Sequence, residues 1–342
     1  MDICLISEDL SLPFDEGIKN FAYNLIKELR KRNNVYAIST GGYRTDERYV
    51  EKLKINKTFL SYSLFKRLRS FKPEIILYIP SPSATLFSFS RIRMLKLYNK
   101  KSKVVMVALQ PRSHSFLAQK LIPHLIPDLV IVQSQNFLKR LSKYGCQVKF
   151  ITGGVDLEKF HAVTNESKIK LRQKYGIHQN KFVILHIGHI KKNRNIELLK
   201  ELQIDNHQVI VVGSTSTSQD GHLVSNLRMA GIRVILDYFD NIEEIYQLSD
   251  CYIFPVTENN ASIEFPLSVL EAMACNIPVI STRFGGLVYL LKEGKGLFWA
   301  DTLKEVKEKI EQVKLLKNVE TRSIAEQFSW KSVAKKIIEQ IK

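Results

Sequence analysis

The chain has 342 residues, long enough for two domains with separate cores. Its 45% hydrophobic and 25% charged residues are those of a globular protein and exclude collagen-like or disordered organisation. The net charge of +17 is uneven: residues 1–155 hold 26 Lys and Arg against 11 Asp and Glu, while residues 156–342 hold 25 against 23. The first half then alternates apolar runs with helical periods. Strands are expected over 3–7, 35–39, 75–79, 104–108, 129–132 and 148–152. Helices are expected over 17–32, with Phe21, Leu25 and Leu29 on one face, and over 134–144. The second half repeats the scheme, with strands over 182–187, 209–212, 234–236, 252–254, 279–281 and near Leu297, and a tail helix over 329–341. Apolar strands separated by helices imply parallel sheets covered on both faces, so the fold class is α/β, two doubly wound domains in succession. The polar stretch 161–167 marks the boundary, giving domains over 1–162 and 163–328 and a closing helix over 329–342.

Cys4, Cys146, Cys251 and Cys275 are scattered without C-x-x-C spacing, which argues against a metal site or disulfide framework and for a reduced, cytoplasmic setting. The chain opens on strand-like DICLIS, so no signal peptide is expected. The longest uncharged run, 75–90, holds two prolines and several serines and is unfit to span a bilayer. Basic residues alternate with apolar ones over 64–69, 91–97 and 137–141, a pattern suited to peripheral binding at an anionic membrane surface. The plain alternative is a solvated lysine-rich surface. Nucleic acid is not expected, because no recognition motif accompanies the charge.

Residues 263–286, IEFPLSVLEAMACNIPVISTRFGG, are the most informative stretch. They read as a loop, a helix, a short buried strand over 278–280 and a glycine turn at Gly285 and Gly286. Backbone N–H groups at the helix start (Leu267, Ser268 and Val269) and at the glycine turn suit phosphate oxygens. Glu271, among Val269, Leu270, Met273 and Ala274, is placed to accept from sugar hydroxyls.

This segment resembles the donor-binding region of retaining glycosyltransferases of family 4, which have the GT-B fold. The family pattern is Glu, seven residues, Glu, then Ala-Met-Ala. The second Glu matches Glu271, which the resemblance assigns to the ribose of the nucleotide. The first falls on Ile263, and the carboxylate stands one place later, at Glu264. Further segments are similar in order and spacing: Asp15-Glu16-Gly17-Ile18 to the loop facing the acceptor, 153–160 to the linker, Gly188 to Arg194 to the Gly-Arg-Leu…Lys segment, and 248–255 to the strand before the glutamate motif.

The resemblance implies that His189 and Arg194, in place of the family's Arg and Lys, neutralise the leaving diphosphate, with Lys191 and Lys192 as nearby substitutes. Arg194 carries permanent charge; His189 carries it when protonated. The family's His after the fourth strand is absent at that place. His114 stands a few residues late, and Gln110 or Arg112 could hold the sugar or an anionic acceptor. Asp15 and Glu16 either accept from acceptor hydroxyls or cap the helix beginning at Gly17. Tyr289 replaces a Glu that the family often has after the glycine pair. No D-x-D triplet, Walker loop or hydrolase triad signal occurs, so a metal-bridged diphosphate is not expected.

The expectation is a metal-independent retaining transferase without a separate cofactor. Its donor is a UDP- or GDP-linked sugar. Its acceptor is a glycan or lipid-linked molecule on the basic first domain, the two domains closing over the donor at a central cleft. Bacterial or archaeal cell-envelope glycan synthesis is the setting that the resemblance implies. A non-catalytic relative that binds a nucleotide or partner, and a sugar-nucleotide epimerase or hydrolase of the same fold, stay open as alternatives.

Overall fold

The computed structural model describes residues 1–41 and 50–342. The chain forms two compact units. The first comprises Met1–Gly153, Ile263–Phe265 and Trp330–Lys342; the second comprises Gly154–Ser262 and Pro266–Ser329. The units divide at Gly153 and Gly154, before the polar stretch that marks the boundary in the sequence. The segment Ile263–Phe265 belongs to the first unit although its sequence neighbours belong to the second.

In the first unit β1 (Asp2–Ser7), β2 (Asn34–Ser39), β3 (Glu51–Lys52), β4 (Ile75–Ile79), β5 (Lys103–Ala108), β6 (Leu129–Val132) and β7 (Val148–Phe150) form a parallel sheet in the order β3-β2-β1-β4-β5-β6-β7. Its helices are α1 (Gly17–Arg30), α2 (Tyr62–Phe71), α3 (Leu86–Tyr98), α4 (Phe116–Leu121) and α5 (Gln135–Ser142). Leu5 lies between Ala37 and Leu77 in register, and every residue of β4 is buried, as a sheet covered on both faces requires. On α1 the predicted stripe Phe21, Leu25 and Leu29 is buried. Phe21 meets Trp330 of the closing helix edge to face at 5.3 Å. The two-residue β3 has no apolar run and left no signal in the sequence.

The second unit holds β8 (Phe182–Ile187), β9 (His207–Val212), β10 (Arg233–Ile235), β11 (Cys251–Phe254), β12 (Val279–Ser281) and β13 (Leu297–Trp299), again parallel, in the order β10-β9-β8-β11-β12-β13. Its helices are α6 (Asn165–Lys174), α7 (Gly221–Met229), α8 (Glu243–Gln247), α9 (Leu267–Ala274), α10 (Leu287–Leu290), α11 (Leu303–Lys314) and α12 (Thr321–Ala325); α13 (Trp330–Ile341) closes the first unit. Strand β12 starts one residue later than the motif suggests.

In each sheet the strand order reverses once, between β1 and β4 and between β8 and β11. Outside the carboxyl ends of such strands lies the crevice where doubly wound sheets take ligands. At the first reversal, residues of the first unit close on one another. Glu8 accepts from Tyr78 Oη at 2.6 Å and from the Ser81 N–H at 2.9 Å, and pairs with Arg91. Several basic residues of the amphipathic stretches have partners within this unit. Arg91 is buried against Glu8 with its guanidinium over the Phe59 ring, and Lys96 pairs with Asp128 at 2.7 Å. On α2, Arg67 pairs with Glu51 at 2.7 Å and Arg69 covers the Phe65 ring. Long basic side chains here satisfy local acids and rings, which an amphipathic pattern does not reveal.

Candidate functional site

The reversal in the second sheet gathers polar groups. Strand β8 ends at Ile187, and Gly188 follows. A Cβ at Gly188 would overlap the Arg194 guanidinium, so only glycine lets that side chain lie there. Arg194 sits in a turn over Lys192–Arg194, is buried, and donates from Nε to the Ala261 carbonyl at 2.9 Å. Lys191 and Lys192 of the same turn are exposed, and His189 is half-buried.

Beneath Gly188 lies His186, fully buried. Its Nδ1 is 2.9 Å from the Ile253 carbonyl, which can only accept, so the proton sits on Nδ1. Burial, assisted by the Arg194 charge, pushes its pKa down to about 4, and Nε2 is a bare acceptor without a partner among the described residues. The neighbouring Tyr252 of β11 donates to Ser268 Oγ at 2.7 Å. Tyr246 of α8, also buried, donates to Glu271 Oε2 at 2.8 Å. Burial and the Glu271 charge hold the Tyr246 phenol well above its usual pKa, so it remains a donor. Glu271 itself is half-buried. Burial raises its carboxyl to about 6, opposed by the Tyr246 hydrogen bond and the Lys159 charge. At neutral pH it is an oriented carboxylate with further acceptor capacity.

Helix α9 starts at Pro266 without a side-chain cap. The N–H groups of its first turn therefore offer positive potential to an anion. Leu267 and Val269 have buried side chains and can contribute only backbone; Ser268 is partly exposed. Gly285 has φ +53°, the left-handed region that glycine adopts without cost, and Gly286 caps the short α10. Tyr289 is exposed on α10.

The remaining predicted residues belong to the first unit. Glu264 is buried there. Its N–H donates to the Leu109 carbonyl at 2.9 Å, and Ser134, the cap of α5, donates to its Oε1. Its Oε2 and the Nε2 of Gln133, whose Oε1 accepts from the Phe265 N–H, have no partner among the described residues. Ile263, at the place of the family's first Glu, is also buried, and its side chain reaches 3.3 Å from where a Gly17 Cβ would stand. His114 is tied on both ring nitrogens, Nε2 to the Ala84 carbonyl at 2.7 Å and Nδ1 to Tyr144 Oη at 3.2 Å. Arg112 donates to the Pro82 carbonyl at 2.9 Å and to Gln110 Oε1 at 3.1 Å. Glu16 caps α1 through the N–H groups of Ile18 and Lys19, the capping alternative of the two; Asp15 lies in the preceding loop.

Residues 167–332 match the family described as glycosyl transferases group 1. The sulfoquinovosyl transferase of Arabidopsis thaliana is 24% identical across 98% of this chain and 72% of its own length. A D-inositol 3-phosphate glycosyltransferase of Corynebacterium urealyticum is 24% identical across 67% of this chain and 59% of its own. Over that stretch the chain is similar to the glycosyl transferases of group 1. HepE of Anabaena, solved in complex with UDP-glucose, superposes with a TM-score of 0.78 at 19% identity, covering 99% of each chain. Sucrose-phosphate synthase of Thermosynechococcus elongatus gives 0.77 at 16%, covering 99% of this chain and 97% of its own. At these identities the likeness shows the fold alone, which is GT-B.

The sequence pattern did not single out His186, Tyr246 and Tyr252 for this site. His186 and Tyr252 are polar residues inside otherwise apolar strands, which was the available signal; Tyr246 stands in the largely polar α8 and gave none. Glu264 gives a testable consequence. Burial raises its carboxyl to about 7, against the Ser134 hydrogen bond and the Arg140 charge. The folded chain holds this proton more tightly than the unfolded chain. Its stabilising effect is complete below the ordinary value of 4.5 and is lost as pH rises through about 7. The ionised form costs about 3 kcal/mol on the scale of 1.36 kcal/mol per pKa unit. Urea unfolding at pH 5 and pH 8 should show Glu264→Gln losing that dependence and exceeding the parent at pH 8. An unchanged pH dependence would refute the assignment.

Proposed function

We propose that the chain is a metal-independent retaining glycosyltransferase of family 4 that moves a sugar from a UDP- or GDP-linked donor to a glycan or lipid-linked acceptor. Cell-envelope polysaccharide or glycolipid synthesis is the setting. The donor belongs to the second unit and the acceptor to the basic first unit. Support comes chiefly from Glu271, an ionised carboxylate held by Tyr246 near the strand reversal of the second sheet, in the helix whose uncapped start follows Pro266. Such a carboxylate suits ribose hydroxyls, and the N–H groups with Arg194 suit the diphosphate. Arg194 and His189 stabilise charge as the phosphate leaves, with Lys191 and Lys192 at the edge. Gly188 makes room for Arg194, and Gly285 and Gly286 supply backbone to the phosphates.

The test is incubation with UDP- and GDP-sugars and a panel of glycan and lipid-linked acceptors, following nucleotide release and the anomeric signal by NMR. Acceptor-dependent release with unchanged anomeric configuration is expected. An inverted product would overturn the retaining mechanism. A second reading, a nucleotide-binding relative without transfer, is favoured by Ile263 at the first-Glu position and by His114 being tied on both nitrogens. Tight nucleotide binding with no turnover on any donor would select it.

A further inference from the structure

We propose that α4 and the neighbouring end of α5 form a docking surface for an anionic membrane. Of the three basic stretches in the sequence, the first two are partly spent on Glu51, Phe65, Glu8 and Asp128, as above. The structure exposes a different feature. Helix α4 projects Phe116 and Leu117, 73% and 63% exposed, with Leu121 at 42%. The helix is held from below by buried Ala118 and Ile122 and capped by Ser115. Gln119 donates to the His114 carbonyl at 3.0 Å, His114 joins Tyr144 just beyond α5, and Arg140 Nη1 donates to the Arg112 carbonyl at 3.1 Å. The apolar side chains therefore stand on a braced platform.

Their surroundings are basic. Lys120 Nζ lies 4.4 Å over the Phe116 ring, and Lys139, Arg140 and Lys143 are exposed at the α5 end. Residues 75–155 carry 12 Lys and Arg and one acid, Asp128, which is already paired with Lys96. Phe and Leu tips flanked by lysines match the boundary between acyl chains and anionic headgroups, where apolar tips enter and ammonium groups stay at the phosphates. A second copy of the chain would set like charge against like charge, and nucleic acid would leave the apolar tips in water. Among the described residues no helix is long and apolar enough to cross a membrane, so contact here is peripheral. The inference rests on the first unit alone and does not depend on the donor-site reading.

Vesicle flotation of the full chain tests it, with phosphatidylcholine alone and with ~30 mol% phosphatidylglycerol. Flotation with the anionic vesicles only, weakened by salt, is expected. Phe116→Ser with Leu117→Ser, and separately Lys120→Glu, Lys139→Glu and Lys143→Glu together, should each cut partitioning about tenfold or more. Leu315→Ser, at an exposed site of the second unit, should leave it unchanged, and thermal melts confirm folding. No flotation of the parent, equal binding to neutral vesicles, or a Phe116/Leu117 variant that floats like the parent would overturn the proposal. So would RNA that displaces the vesicles and still binds that variant.

Discussion

Glu271→Gln is expected to weaken nucleotide-diphosphate binding by about 10- to 100-fold while leaving the fold as stable as the parent or slightly more so. Hydrogen bonds to a charged acceptor contribute roughly 1.5–3 kcal/mol, and the amide keeps the shape while removing the charge. The stability sign follows from the raised carboxyl, about 6 against 4.5. The folded chain binds that proton more tightly, so the stabilising effect is present below 4.5 and lost as pH rises through about 6. The ionised group then costs on the order of 1–2 kcal/mol at neutral pH, an amount the amide does not incur. Calorimetric titration of UDP, GDP and ADP at pH 7.5, with thermal melts of both proteins, reads the two effects together. In the parent, affinity should also fall as pH drops below about 6. Unchanged binding in the variant would remove Glu271 from the donor site. Loss of binding together with a much lower melting temperature would make it a structural residue instead.

Arg194→Ala is expected to lower kcat/KM by roughly 10²–10³-fold, the range for removing one donor that meets charge developing in a transition state. The fall should lie mainly in kcat, because the phosphate gains charge as the sugar departs. Some stability is lost too, about 1 kcal/mol, since the Ala261 carbonyl loses its donor at 2.9 Å. Arg194→Lys separates the roles. It restores charge without the planar fork, so it should recover part of kcat and little of the packing. Gly188→Ala should act in the same direction without touching the charge, because the new methyl group displaces the guanidinium. A fall confined to KM would assign Arg194 to ground-state binding alone.

The strands were legible because buried parallel strands must be continuously apolar, and β4 and β8 fall where such runs end. Glu271 was legible because a charged residue in an apolar helical stripe needs a reason. Its partner was not, since Tyr246 lies 25 residues away on a short helix, Glu243–Gln247, with no apolar stripe to mark it. His114 and Arg112 looked free in a polar loop. Their bonds to Ala84 and Pro82 reach back some 30 residues, a distance no local pattern carries. Glu264 shows the same limit: its neighbour Ser134 is 130 residues away.

Local pattern alone carries the alternation of strand and helix, the parallel two-sheet class, the glutamate motif and the excess of positive charge. These follow from local periodicity, composition and short spacings. Which polar atoms meet is a matter of the folded chain. It set Arg194 on Gly188, Tyr246 on Glu271, Glu264 under Ser134 and Arg91 on Glu8, and it left Phe116 and Leu117 in water beside lysines. Pairings of this kind depend on crossovers that bring distant residues together, and burial then sets the charge state of each group.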